Sequence, residues 1–152
     1  MKAERIGLKG HWTIEIRDKG KLVKRLDFDN QLTNLYRDSV LNQLYGNTFN
    51  SLEIKYLGIG TDETPASATD TQLGAEVFRV IPTSQTIADG YVQTIWVIPT
   101  QIGNFNYKEI GVFCGDATAT LNSGTMISRV NVNIEKTSSM EITFIRRDYV
   151  II

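Results

Sequence analysis

Apolar and polar positions alternate along much of this chain with the period of two that marks a half-buried strand. In HWTIEIRDKGKLVKRLDF (11–28), Trp12, Ile14 and Ile16 alternate with Thr13, Glu15 and Arg17. DKGK supplies turn chemistry, with Gly20 free to take positive φ. Leu22, Leu26 and Phe28 continue the pattern beyond it, interrupted at Lys24, so a hairpin is expected. Leu52, Ile54 and Tyr56 then alternate towards Gly58. VFRVIPTSQTIADGYVQTIWVIP (77–99) reads as two long strands joined at Ala88-Asp89-Gly90, where Asp-Gly is a strong hairpin signal. YKEIGVFCG, GTMISRVNVNIEK and SMEITFIRRDYVI supply three more strands. Val130, Val132 and Ile134 share one face against Asn131 and Asn133, and Ile142 and Phe144 repeat the pattern.

Helical spacing is convincing only in TNLYRDSVLNQLYGN, which predicts a helix over about residues 33–45. Thr33 is its N-cap and Gly46 its stop, and Tyr36, Val40, Leu41 and Leu44 form an apolar stripe to pack against a sheet. About eight strands rich in β-branched and aromatic residues, with one helix, predict a mainly β protein. The expected architecture is an antiparallel β-sandwich, with a barrel as the other closure of the same strands. The 152 residues contain no repeat or low-complexity linker and are read as a single domain, 1–152.

Charge narrows the possible partners. Sixteen Lys and Arg stand against 17 Asp and Glu, for a net charge of −1, without the basic excess of a nucleic-acid binder. A charge so close to zero suits a protein that assembles, because copies repel one another little. The single cysteine, Cys114, excludes an intrachain disulfide framework. Neither an apolar leader nor a run long enough to span a bilayer is present, so a soluble protein made in a cytoplasm is expected.

The stretch YLGIGTDETPASATDTQLGAEVFR (56–79) invites a chemical reading. Gly58-Ile59-Gly60 lacks the later glycine and helix of a dinucleotide loop, and no Gly-Lys-Ser/Thr follows. Asp62, Glu63 and Asp70 are hard oxygen donors, but their spacing matches no calcium loop, and a solvated acidic loop is the expectation. His11 and Cys114 would have to meet to form a catalytic dyad, and Cys114 reads instead as a small core residue. Glu76 and Glu109 carry no weight as a carboxylate pair, given the 17 acids on the chain. Trp12, Trp96 and Phe144 read as core. No catalytic, cofactor-binding or metal-binding residues are assigned, and no enzyme activity is expected.

Two segments together resemble the virion-attachment region of bacteriophage tail-fibre, tail-collar-fibre and baseplate-associated proteins. The first is 56–79: a strand ending in Gly-x-Gly-Thr, a Pro/Ser/Ala loop, Asp-Thr-x-Leu, then Glu-x-x-Arg. The second is FNYKEIGVFCGDATATLNSGTMISRVNVNIEKTSSMEITFIRR (105–147): Glu-Ile-Gly with an apolar pair, a strand containing an arginine, Lys-Thr and a last strand. The N-terminal hairpin and helix, with NQLTN between them, resemble the usual opening of that family.

The resemblance implies a structural part of a virion, assembled in a bacterial cytoplasm, whose partners are copies of itself and other virion proteins. It makes Gly58 and Gly60 strand-end turns, and Asp70, Leu73, Glu76 and Arg79 an arm leading back to the sheet. Glu109, Ile110 and Gly111 become an inner-strand signature. The chain stops at Ile152, directly after its last strand, so a collar or baseplate decoration, an adaptor or a short fibre base is expected rather than a full fibre.

The loop Gly60–Thr71 is then the expected interface, through Gly60, Thr61, Asp62, Glu63, Thr64, Pro65, Asp70 and Thr71. Asp70-Thr71 is expected to cap a short helical turn, which puts Glu76 and Arg79 one turn apart and within pairing reach. Replacing the loop with a few Gly/Ser residues is expected to leave the domain folded. The competing reading is a carbohydrate-binding β-sandwich, with a glycan as partner, because such folds host many functions.

Overall fold

The computed structural model describes residues 7–47 and 51–152. The expected antiparallel β-sandwich is present, with nine strands and one helix among the described residues. The strands are β1 (Gly7–Asp18), β2 (Lys21–Asp29), β3 (Ile54–Gly60), β4 (Glu76–Val80), β5 (Ser84–Ala88), β6 (Tyr91–Ile98), β7 (Asn106–Cys114), β8 (Thr125–Glu135) and β9 (Met140–Ile151). The helix α1 spans Asn34–Tyr45. One sheet has the order β2-β1-β9-β6-β5 and the other β4-β3-β7-β8. No helix among the described residues is long and apolar enough to cross a membrane.

The alternation read from the sequence builds the core. Trp12, Ile14, Trp96, Ile98, Ile142 and Phe144 project from the five-stranded sheet and are fully buried. They meet Leu57, Ile59, Tyr107, Ile110 and Val112 of the four-stranded sheet. Trp12 lies with its ring centroid 5.9 Å from Trp96 and 6.3 Å from Phe144, the latter edge-on. Each large apolar side chain so buried contributes roughly 1.5–3 kcal/mol. The expected turns hold these strands in register: Lys19 and Gly20 take φ of 50° and 80° in the β1–β2 hairpin, and Gly90 takes 86° between β5 and β6.

Three local expectations are corrected. The first strand expected in 77–99 is two strands in different sheets, β4 and β5, because the chain breaks at Pro82, which has no N–H to donate. In β3 the pairing register shifts between Ile54 and Tyr56, so the alternation slips by one. Leu57 and Ile59 therefore face the core, while Tyr56 packs on the opposite side of the sheet. The apolar stripe of α1 does not seal against a sheet, since no helix residue is buried, and Leu41 and Leu44 are 56% and 80% exposed. Only Tyr36 of the stripe packs against the core.

What holds α1 is its N-cap. Thr33 is buried; its hydroxyl accepts the Tyr36 N–H at 3.4 Å and donates to the Met126 carbonyl at 2.6 Å. Its backbone N–H donates to Ile127 at 3.0 Å, and Gly46 closes the other end with φ of 94°. Thr33→Ala is therefore expected to destabilise the protein by about 1–2 kcal/mol. Leu44→Ala, at an exposed position, should stay within about 0.5 kcal/mol of the parent. Urea titration followed by tryptophan fluorescence distinguishes the two, and equal effects would refute the capping account.

Candidate functional site

A β-sandwich needs only one covered face per sheet, but β7 is buried from Tyr107 to Cys114 apart from the half-buried Lys108. Its outward side carries Glu109, Gly111 and Phe113, and the segments 61–75 and 115–124 cover them. Leu73, only 1% exposed, packs there with Phe113, Ala117, Met126 and Tyr56 in a second, smaller core.

The polar centre of this covered face is Glu109, whose side chain is fully buried. Its Oε1 accepts the Gly74 N–H at 2.7 Å and Arg129 Nε at 3.1 Å. Its Oε2 accepts the Asp62 N–H at 2.8 Å and the Ala75 N–H at 2.9 Å. Arg129, on the neighbouring β8 and also buried, turns its remaining donors to the loop. Nη1 donates to Asp70 Oδ2 at 3.2 Å and Nη2 to the Thr64 carbonyl at 2.9 Å. The loop is thereby wound around a buried ion pair. Asn131 adds two bonds, accepting the Ala66 N–H at 2.7 Å and donating to the Thr64 carbonyl at 2.9 Å.

A second buried pair lies beside the first. Arg79 Nε meets Glu76 Oε2 at 2.8 Å, with both side chains almost completely covered. Residues three apart in a regular strand face opposite ways, but here the ladder steps from Ile59–Phe78 to Gly60–Glu76, which leaves Val77 as an extra residue. The bulge puts Glu76 and Arg79 on one face. The expected pairing is therefore present, produced by a bulged strand and not by a helical turn. The Arg79 guanidinium lies 4.4 Å from the centre of the Phe113 ring and 5.2 Å from that of Tyr56. Its Nη1 donates to the Thr118 carbonyl at 2.7 Å, and Glu76 accepts the Asn122 N–H at 2.6 Å. This pair fastens the 115–124 segment as Glu109 and Arg129 fasten 61–75.

Gly58 and Gly60 make room for both pairs. Gly58 lies inside β3 and Gly60 is its last residue; both are paired in the ladders without left-handed φ, so neither makes the turn expected. A Cβ on Gly58 would stand 2.6 Å from both Glu76 Oε2 and the Phe113 ring. One on Gly60 would overlap the Ala75 carbonyl and stand 2.7 Å from Glu109 Oε2. Gly111 pairs directly with Gly58, and Ile110 beside it faces the main core.

The remaining expectations divide. Asp70 starts no helical turn; its carboxylate accepts the Ser67 N–H at 2.8 Å and closes a turn in which its own N–H reaches the Ser67 carbonyl at 3.1 Å. The three acids weighed as metal donors are taken up by groups of the protein: Asp62 bonds Thr64 and lies 4.0 Å from Arg129, Glu63 lies 3.3 Å from Lys108, and Asp70 holds Ser67 and Arg129. Thr61, Glu63, Thr64, Pro65 and Thr71 present an exposed outer surface. The loop is folded on its own sheet, so the expectation that the domain would stay folded with a few Gly/Ser residues in its place is revised. They would take the Asp62 N–H, the Thr64 carbonyl and the Asp70 carboxylate away from two buried charges.

Outside this face, His11 Nδ1 lies 3.0 Å from Asp29, while Cys114 is fully buried and burial pushes its thiol up to about 12. The two have separate surroundings and form no dyad.

Arg129 and Lys136 are not singled out as site residues by the sequence, and Asn131 reads only as the polar side of its strand. A charged residue inside the otherwise uncharged, mostly apolar run MISRV was the available signal for Arg129. Lys136 is buried and donates to the Ile102 carbonyl at 2.9 Å and to Asn104 Oδ1 at 2.5 Å. Comparison with protein-family models, with curated proteins and with solved structures returned no significant match.

Two predictions follow from the clamp. Glu109→Gln leaves the buried Arg129 with only the part-exposed Asp70 and Asp62 carboxylates as counter-charges and sets an amide NH2 against backbone N–H groups, so it should destabilise the domain by at least about 1–3 kcal/mol. Chemical denaturation measures this, and a loss under about 0.5 kcal/mol would show that the pair does not hold the loop. The second concerns acid. Bonds from the Thr64 N–H and hydroxyl hold the Asp62 carboxyl below its ordinary 3.8. A depressed carboxylate contributes its stability above its unfolded value and loses it as pH falls through the folded one. Exchange of the Thr64 amide, followed by NMR, should therefore lose protection as pH drops below that range. Asp62→Asn should weaken this pH dependence, and an unchanged profile would refute the assignment.

Proposed function

We propose that this protein is a structural component of a bacteriophage or prophage-derived particle. In this reading it is a tail, collar or baseplate protein that serves as a fibre base or adaptor through oligomeric assembly, and it carries out no catalytic step. The observation that carries the reading is the interlocking of the two segments whose sequences resemble phage attachment proteins. Gly58, Asp70, Leu73, Glu76 and Arg79 of the first meet Glu109, Gly111, Phe113 and Arg129 of the second on one covered face of the sheet, through two buried ion pairs and the small apolar core beside them. Residues separated by 59 positions, Asp70 and Arg129, are bonded directly. Such interlocking supports one structural motif over two coincidental likenesses.

The physics of assembly favours the same reading. A loop ordered before association loses little further conformational freedom on binding. Thr61, Glu63, Thr64, Pro65 and Thr71 thus form a preorganised surface for another subunit, with copies of this chain and other virion proteins as its partners.

The test uses outward-facing changes that leave the clamp intact. Thr61→Arg combined with Pro65→Arg should stay within about 0.5 kcal/mol of the parent in stability. Incorporation into particles, quantified by mass spectrometry of purified virions, should fall at least about tenfold, the effect of losing about 1.4 kcal/mol of association energy. Equal incorporation overturns the role of the loop surface, and absence of the parent protein from the particles overturns the particle reading.

A further inference from the structure

The sandwich has four sheet edges, β2, β5, β4 and β8, and three are guarded against pairing with another chain. β2 carries Lys21, Lys24, Arg25, Asp27 and Asp29, and its register with β1 shifts at Ile16/Arg17. β4 is bulged, with Val77 as its extra residue. The first half of β8 is occupied by the segment before α1, through Thr33 N–H to Ile127 and Arg129 N–H to Gln31. Charges, bulges and covering segments are the usual means of blocking an edge.

β5 has none of them. Its sequence, Ser-Gln-Thr-Ile-Ala, contains no ionisable side chain, every residue is exposed, and it pairs with β6 over all five positions without a register shift. The bareness extends further along the chain. From Val77 to Ala88 the only ionisable residue is Arg79, which is buried against Glu76. Val77, Ile81 and Ile87 are instead 50%, 63% and 84% exposed. Ile87 stands opposite Val92, on the same side of the sheet as the buried Thr94, Trp96 and Ile98. It therefore points to the core side of its sheet but overhangs an open groove of about 470 Å³, lined also by Tyr36, Ile54, Val92 and Ile127.

We infer that β5 is the contact edge of a symmetric pair. Two copies join β5 to β5, antiparallel, about a two-fold axis at Thr86, and merge two five-stranded sheets into one. A second copy is the occupant that the chemistry favours. The edge offers no charge for a charged partner to complement, and a net charge of −1 leaves two copies free of strong repulsion. A strand paired antiparallel with itself is also self-complementary, as a two-fold contact requires. Centred on Thr86, the register sets Gln85 of each copy against Ile87 of the other, which covers the exposed isoleucine.

Area sets the strength. A five-residue edge about 17 Å long, across two layers each about 10 Å thick, gives a wall of roughly 340 Å² per copy in projection, below the ~800 Å² of a standard interface. The pair is therefore reversible and concentration-dependent. The inference rests on the edge alone and holds whether or not the protein belongs to a particle.

Disulfide trapping tests the register. In the pair, the two Thr86 Cα atoms lie about 4.5–5.5 Å apart, inside the roughly 4.4–6.8 Å that a disulfide spans. Cys114 is buried, so Thr86→Cys introduces the single accessible thiol among the described residues. Under mild oxidation it should give covalent dimer at least about tenfold faster than Val23→Cys, an exposed control on the charged edge β2. In sedimentation equilibrium the parent should rise from 17.1 kDa towards twice that mass with concentration, and Ile87→Lys should remain at the lower value. Equal oxidation rates for the two cysteine variants, a parent that stays monomeric, or an undiminished dimer in Ile87→Lys would each overturn the inference.

Discussion

The buried carboxylate of Glu109 is the constraint around which one whole side of this protein is organised. An ionised group without water costs several kcal/mol unless its lone pairs are met, even when a counter-charge lies beside it. Arg129 provides the counter-charge, and three backbone N–H groups from Asp62, Gly74 and Ala75 complete the shell. Those donors come from both ends of a single loop. The loop therefore cannot leave without exposing the pair, and the pair cannot remain buried without the loop. Leu73 fills the apolar space between them, and Gly58 and Gly60 keep the β3 backbone clear of the carboxylates.

The same device recurs with other residues. Arg79 and Glu76 tie down the 115–124 segment, and Lys136 holds the carbonyl oxygens of the 100–104 turn. Arg146, buried and 5.3 Å from the centre of the Trp12 ring, is paired with Asp148 at 2.7 Å. Charges placed inward in this way specify geometry more than they add net stability, because an apolar replacement of a whole pair is often as stable. What they provide here is ordered loops. Such loops meet a partner with less conformational entropy left to lose.

That economy of outward charge also explains the contrast between the flanks of the sandwich. On β4 both charged residues are committed to the interior, so Val77 is left to face solvent. On β5 there were none to commit. On β2 the lysines, arginine and aspartates stay outside, and His11 joins them through Asp29. One flank is shielded by charge while the other offers bare backbone and aliphatic side chains. The two flanks are suited to different neighbours for that reason alone.

The sequence by itself determined what depends on near neighbours. The period of two placed Trp12, Ile14, Ile142 and Phe144 in the core, Asp89-Gly90 and Lys19-Gly20 marked their turns, and Thr33 and Gly46 marked the ends of the helix. These are local preferences of backbone conformation and of alternating burial, which a short window of residues carries in full. The tertiary structure alone decided which side chains meet. Glu109 and Arg129 are 20 residues apart, and nothing in either segment names the other. Glu76 and Arg79 were read as partners on a helical turn, yet they pair because an extra residue at Val77 rotates one onto the face of the other. A slip of one residue in β3 likewise turned Tyr56 out of the main core, and the helical stripe found no sheet to cover it. Bulges and register are settled by the fit of strands distant in sequence, and a change of one residue there exchanges the two faces of a strand without altering the pattern that predicts it.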